Sequence, residues 1–142
     1  MTDRKPPLTA SLEADHRELD ELLGRFLAAA DALDARRAIE EFDERLRTHM
    51  LLEEERLYSA QPARKLLPAE VESEHERLER GLLLEHVQIR EISGMMRRLL
   101  EEKNDLPSAR ALWSNLARRW DAHTTREERE LFPIVNRRIG ES

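Results

Sequence analysis

Four stretches of this chain repeat apolar residues at intervals of three and four, and this periodicity is the strongest constraint on its fold. Such spacing places the apolar side chains on one face of an α-helix. A length of 142 residues suits one domain. Gly, Pro and aromatic residues are few, and Leu, Ala, Glu and Arg are common, which favours helices over strands. Because short loops join antiparallel neighbours, the sequence predicts an all-α, up-down-up-down antiparallel four-helix bundle.

Turn-forming residues indicate where the four helices begin and end. We expect residues 1–10 to form an N-terminal tail and residues 11–140 to form the bundle, with Thr9 or Ser11 as the first helix cap. The apolar face of the first helix extends as far as Leu33. The expected turns cover residues 31–34, 61–68 and 104–108.

Six polar residues interrupt the apolar faces at positions where leucine would be expected. They are His16, His49, Glu53, His86, His123 and Glu127. A buried carboxylate without a partner is strongly unfavourable unless its pKa shifts. Two such carboxylates in one core need shared compensation, which a metal ion supplies because imidazole and carboxylate are both ligands of first-row metals. The chain has no Cys, so any metal site must use His and carboxylate.

The two halves of the chain repeat this polar pattern. The repeated motifs are Asp15-His16 with Glu85-His86, at an offset of 70, and His49-x-x-x-Glu53-Glu54 with His123-x-x-x-Glu127-Glu128, at an offset of 74. Residues at positions i and i+4 lie one above the other on a single helical face. Each His and Glu of the second motif can therefore reach one metal centre, and a Glu can bridge two metals.

These motifs resemble those of the hemerythrin-like family, also called HHE cation-binding domains. The resemblance runs from about Leu12 to Ile134 and includes two apolar pairs that follow the Glu-Glu motifs, Leu57-Tyr58 and Leu131-Phe132. It implies an up-down four-helix bundle that holds an oxo- or hydroxo-bridged di-iron centre. In that interpretation Glu53 and Glu127 bridge the irons, His16 and His49 bind one iron, and His86 and His123 bind the other.

The family's fuller pattern has a fifth histidine, often one turn from the histidine of the third helix. Leu82 and Arg90 occupy those positions here, so the second iron is expected to be one protein ligand short. His75 is the remaining histidine, but it lies roughly 16 Å from His86 along a straight helix. We expect His75 to be a core residue or a hydrogen-bond partner of the ligands. The alternative is that His75 binds metal in place of or beside His86, through a helix break near Gly81.

Other polar residues near the motifs have simpler interpretations. Asp20 follows His16 by one helical turn but is expected at the surface. Glu54 and Glu128 lie about 100° round the helix from their neighbours and point away from the seam, with a hydrogen bond to a ligand histidine as the alternative. Four large apolar residues are expected in the core: Trp113, Trp120, Phe26 and Met96. The resemblance implies in addition that they wall a dry ligand pocket beside the irons.

The resemblance and the metal chemistry imply a protein that binds or senses O2, NO or peroxide, or that handles iron. An enzyme that acts on peroxide or nitric oxide is the alternative, and a hydrogen-bonded network without metal is a third. The net charge of −6, with acidic and basic residues interspersed, predicts no nucleic-acid partner. No apolar stretch approaches the roughly 20 residues of a membrane span, so we predict a cytoplasmic protein without a membrane partner. The oligomeric state is open.

Overall fold

The computed structural model describes residues 7–58 and 74–141. Every regular element within these ranges is helical: α1 (Pro7–Ala28), α2 (Ala32–Leu52), α3 (Glu74–Lys103), α4 (Leu106–Arg126) and α5 (Phe132–Glu141). A π-helical turn, Glu53–Leu57, extends α2, and a second, Glu127–Leu131, joins α4 to α5 without a break. The described chain thus forms four long helical segments, which confirms the all-α prediction. None of these helices combines the length and the apolar character needed to cross a bilayer.

The first helix begins earlier than predicted. It starts at Pro7, which suits a first helical turn because the N–H that proline lacks would have no helical partner there. Thr9 and Ser11, the expected caps, therefore lie inside the helix. Thr9 is buried, and its hydroxyl donates to Asn136 Oδ1 of α5 at 3.0 Å. The predicted tail of residues 1–10 therefore extends four residues too far, because residues 7–10 belong to α1.

The first turn is also earlier than predicted, because an aspartate cap ends the apolar pattern. Helix α1 ends at Ala28, and the Asp31 side chain accepts a hydrogen bond from the Asp34 backbone N–H at 2.9 Å, which starts α2. Leu33 continued the spacing of the first helix in sequence. In the structure it belongs to α2 and is 53% exposed. Three- and four-residue spacing thus persisted by chance across a turn.

The turn between α3 and α4 lies where the sequence placed it. Asn104 takes a left-handed conformation with φ of 50°, which asparagine tolerates better than most residues. The Asp105 side chain then accepts from the Ser108 backbone N–H at 3.0 Å and caps α4. The predicted turn over residues 61–68 lies outside the described residues.

The core consists of two apolar clusters separated by a polar layer. Along each helix, the predicted His and Glu positions fall between residues of one cluster and residues of the other. On α1, for example, His16 lies between Leu12 of the smaller cluster and Leu19 of the larger one. On α4 the order is reversed, so His123 follows Trp120 of the larger cluster. Both ends of the polar layer are therefore covered by packed hydrocarbon, which excludes water along the bundle axis.

Candidate metal centre

The structure brings the six predicted polar residues together in this layer. All are buried, none with more than 3% of its surface exposed. They form two groups of four in which potential ligand atoms lie within 4.8 Å of one another. The groups are His16, His49, Glu53 and Glu127, and Glu53, His86, His123 and Glu127. Both groups share the two glutamates, so these groups could hold two metal ions with two carboxylates between them.

In the first group, the Nε2 atoms of both histidines face the shared carboxylates. His16 Nε2 lies 3.3 Å from Glu53 Oε2 and 3.2 Å from Glu127 Oε1. His49 Nε2 lies 2.9 Å from Glu53 Oε2. Each glutamate comes from a different helix, so the group ties α1 and α2 to the end of α4.

The second group repeats this geometry with the roles of the glutamates exchanged. His123 Nε2 lies 3.2 Å from Glu127 Oε2, as His49 does from Glu53 in the first group. His86 Nε2 lies 3.0 Å from Glu53 Oε1 and 3.7 Å from Glu127 Oε2. The two-fold pattern of the sequence is therefore a two-fold pattern of the site, with each group supplied with two histidines and two shared carboxylates.

A tyrosine hydroxyl distinguishes the second group from the first. The Tyr58 hydroxyl lies 3.1 Å from His86 Nε2 and donates a short hydrogen bond to Glu127 Oε2. Its ring also stacks on His86. The equivalent residue in the other half, Phe132, stacks on His16 but has no hydroxyl. Tyr58 was not predicted as a residue of the site, although its motif pairs with that of Phe132 at an offset of 74.

Each of the four histidines has a carboxylate on its other ring nitrogen. The Nδ1 pairs are His16 with Glu128 at 2.7 Å, His49 with Asp15 at 3.2 Å, His86 with Glu54 at 2.7 Å and His123 with Glu85 at 2.7 Å. An Nδ1–H that donates to a carboxylate fixes the ring and leaves Nε2 free for a metal, which is the usual arrangement behind metal-binding histidines. Glu54 and Glu128 are thus partly exposed, as expected, but they take the alternative role of hydrogen-bond partner.

Asp15 and Glu85 are the two partners that sequence analysis did not assign. Each precedes a site histidine in sequence, yet each bonds the histidine of the neighbouring helix. Asp15 thus orients His49 and not His16. The repeated Asp/Glu-His pair was a signal that these carboxylates belong to the site, but their partners depend on helix packing.

The π-helical turns begin at the shared glutamates. In each turn the backbone bonds i to i−5, as from Tyr58 N–H to Glu53 C=O at 2.9 Å, and this widens the helix locally. Glu53 enters the centre while Glu54 reaches the outer edge of His86. The same distortion recurs at Glu127, so it repeats with the motif. Single π turns inside α-helices are frequent at functional sites.

Protons on three of the site histidines, His16, His86 and His123, offset the charge of the buried glutamates, because the pKa of each of these imidazoles is raised. Burial opposes the charged form of His16, but hydrogen bonds and charges from Glu127 and Glu53 outweigh burial and raise the pKa of His16 to about 10. The same opposition raises the pKa of His86 to about 10. Burial also opposes the charged form of Glu127, yet the charge of the neighbouring His123 holds the pKa of that carboxyl well below its usual range. A metal cation that binds here would replace these protons.

Three buried atoms of the centre have no hydrogen-bond partner among the described residues: His49 Nε2, His123 Nε2 and Glu127 Oε1. An unsatisfied buried polar atom costs about 1–3 kcal/mol. All three belong to the groups of potential ligands, with His49 in the first group, His123 in the second and Glu127 in both, so a pair of metal ions would satisfy them. The donor set of imidazole and carboxylate suits first-row metals, so the residues present fit a metal pair.

Two polar residues considered in the sequence, His75 and Asp20, lie outside the two groups. His75 is half-buried, and its Nε2 lies 3.0 Å from Glu79 Oε2. Helix α3 runs through Gly81 without a break, so the structure does not bring His75 to the centre. Asp20 is exposed, as predicted, and accepts a hydrogen bond from the Trp120 indole N–H at 2.8 Å.

Trp120 forms the apolar wall of the centre on the side of the larger cluster. Its ring centroid lies 5.5 Å from that of His16, 6.1 Å from that of His49 and 6.3 Å from that of His123. Trp113, Phe26 and Met96 belong to or pack against the same larger cluster, in agreement with their predicted core positions.

Comparisons with known proteins do not identify the chain. No family model matches it, and neither does a curated protein or a solved structure. Its chemistry must therefore be inferred from the residues and their geometry.

We expect the metal-free protein to lose stability as pH rises from about 6.5 to about 10. His16 and His86 hold their protons up to about pH 10 when folded, whereas unfolded histidine loses its proton near the ordinary pKa of 6.5. The folded state then binds more protons across this window, so the free energy of unfolding falls with pH. Thermal melts of chelator-treated protein measure the effect. A melting temperature that stays constant or rises across the window would contradict it.

Substitution of Tyr58 by Phe should lower the free energy of unfolding of the metal-free protein by about 2 kcal/mol, because buried Glu127 loses a hydrogen-bond donor while the ring packing remains. Urea unfolding measures the change. Phe132→Tyr is the matched control, since it adds a hydroxyl at the equivalent position beside His16. Equal stability of Tyr58→Phe and the parent chain would show that the hydroxyl contributes nothing to the charge balance.

Proposed function

We propose that this chain is a non-haem di-iron protein of the hemerythrin-like type. The observation that carries the proposal is the pair of ligand groups that share Glu53 and Glu127, with a carboxylate behind every histidine. Two shared carboxylates hold two ions side by side, as in the di-iron and di-manganese carboxylate bundles. His16 and His49 would bind one iron, His86 and His123 the other, and the two glutamates would bridge them.

We also propose the up-down-up-down order of the four helices. Between neighbouring helices, the contacted residue lies earlier in one helix as the contacting residue lies later in the other, as expected for antiparallel neighbours. Such pairs are Asp15–His49 and Arg25–Glu41 between α1 and α2, Glu54–His86 and Asp43–Ser93 between α2 and α3, and Glu85–His123 and Gln88–Arg119 between α3 and α4.

The proposed activity is to bind or sense O2, NO or peroxide, or to handle iron. A bound iron pair would supply open coordination positions and one-electron redox chemistry. The chain itself holds the histidine rings in place, and its apolar clusters exclude water from both ends of the layer. Burial, together with the charges of Glu127 and Glu53, raises the pKa of Tyr58 well above its ordinary value, so its hydroxyl remains a proton donor inside the second group.

An enzyme that acts on peroxide or nitric oxide is the second candidate. The observation that favours it is the Tyr58 hydroxyl, since a buried proton donor beside His86 is useful for reductive chemistry and unnecessary for iron storage. A hydrogen-bonded network without metal is disfavoured by the buried ligand atoms that lack partners. A cytoplasmic location stays a prediction.

Protein reconstituted anaerobically with Fe(II) should contain two irons per chain by elemental analysis. Glu127→Ala should lose most of both irons because both groups use this carboxylate, whereas His49→Ala should retain about one. Glu127→Ala should lose most of the increase in melting temperature that metal gives the parent chain, and His49→Ala should lose part of it, because metal binding is coupled to folding.

The matched control is His75→Ala, which removes a histidine outside both groups and should retain full iron content. No iron in the reconstituted parent chain would contradict the proposal, as would full iron content in Glu127→Ala.

A further inference from the structure

A groove between α1 and α2 reaches one histidine of the centre. It has a volume of about 280 Å³, and its lining includes Asp15, Glu18, Glu44, Arg45, Thr48 and His49. His49 is the innermost of these residues, with only 2% of its side chain exposed. The groove therefore connects solvent with the outer edge of a buried potential ligand.

Carboxylates dominate the mouth of this groove. Glu18 and Glu44 are well exposed, with 56% and 69% of their side chains accessible, and Glu44 also lies 3.4 Å from Arg97 of α3, outside the groove lining. Arg45 is the one cation among the lining residues, and it pairs with Glu18 at 2.6 Å and with Glu41 at 3.2 Å. A low-dielectric cleft lined by one sign of charge concentrates counter-ions, so the groove should attract cations.

The internal repeat supplies a comparison on the opposite side of the centre. With the offsets of 70 and 74, the residues equivalent to Asp15, Glu44, Arg45 and Leu52 are Glu85, Arg118, Arg119 and Arg126. One carboxylate and three arginines thus stand where the groove has two carboxylates, one arginine and a leucine. The surface between α3 and α4 is basic where the surface between α1 and α2 is acidic.

The arginines also tie α3 to α4 over His123. Arg126 forms a short ion pair with Glu85, the partner of His123, and Arg119 donates to Gln88 Oε1 at 3.2 Å. Leu52 provides no such tie to Asp15. At the position equivalent to the groove, the arginines therefore disfavour the approach of a cation and link α4 to α3.

The hydrogen bond at the inner end of the groove is the longest of the four histidine–carboxylate pairs. His49 Nδ1 lies 3.2 Å from Asp15, whereas the other three pairs are at 2.7 Å. Asp15 is also the most exposed of the four carboxylates, at 36%. On its other side His49 presents an Nε2 without a hydrogen-bond partner. Of the four histidines, His49 is the one best placed to meet an incoming ion.

We propose that divalent metal cations enter the buried centre through the groove between α1 and α2. Glu44 and Asp15 attract the hydrated ion, and His49 is the first histidine to bind it. This inference rests on the proposed metal-binding function and adds the route by which the site is loaded.

The rate of Co²⁺ uptake by metal-free protein tests the route. Co²⁺ bound to imidazole and carboxylate absorbs visible light, so stopped-flow absorbance gives the rate and elemental analysis gives the final content. Glu44→Arg should slow uptake about tenfold at low salt, with a smaller effect at high salt. Its final cobalt content should equal that of the parent chain, because Glu44 lies outside both ligand groups.

Two further variants separate the groove from general charge. Glu102→Arg, at an exposed position near the end of α3, changes the net charge equally and should leave the rate within about twofold. Thr48→Trp places a bulky, uncharged side chain at an exposed position of the groove and should slow uptake at every salt concentration.

Full cobalt content reached at the parental rate in both Glu44→Arg and Thr48→Trp would overturn the proposed route and leave the metal-binding function intact. Equal slowing by Glu44→Arg and Glu102→Arg would also overturn it, because net charge would then explain the rate. A parent chain that binds no cobalt would instead contradict the proposed function.

Discussion

Two carboxylates, Glu53 and Glu127, lie side by side in the core, and the rest of the structure depends on how their charge is compensated. Burial and the charge of Glu127 both disfavour an ionised Glu53, yet hydrogen bonds from histidines hold the pKa of Glu53 below its ordinary value. Four imidazoles surround the pair, and four outer carboxylates hold those imidazoles. Carboxylates and imidazoles therefore alternate from the centre outward. Because these groups come from all four helical segments, the alternation requires the helices to be fixed in register with one another.

The sequence was sufficient to identify the helical fold and the six residues of the centre, because both depend on periodicity. A His and a Glu one turn apart must share a helical face, whatever the neighbouring helices do. The partners of Nδ1 depend on which helices pack together, so Asp15 and Glu85 could not be matched to His49 and His123 from spacing alone. The π turns could not be predicted from the sequence either. Each covers only five residues, which is too short for its i to i−5 hydrogen bonds to change the spacing of apolar residues detectably.

The two halves of the centre are alike in their ligands and differ in what surrounds them. Tyr58 lies against His86 where Phe132 lies against His16, so a hydroxyl is present in the half of the centre for which the sequence predicts one protein ligand too few. The surfaces differ too, with an acidic groove outside His49 and arginines outside His123. A repeat that preserves the potential ligands and changes their surroundings would give a bound metal pair two chemically distinct sides.

Diffraction from crystals of the iron-loaded protein at the iron absorption edge tests the central claim most directly. We expect two anomalous peaks between Glu53 and Glu127, one beside the Nε2 atoms of His16 and His49 and the other beside those of His86 and His123. The absence of anomalous density between the two glutamates in protein shown to contain iron would contradict a bridged metal pair.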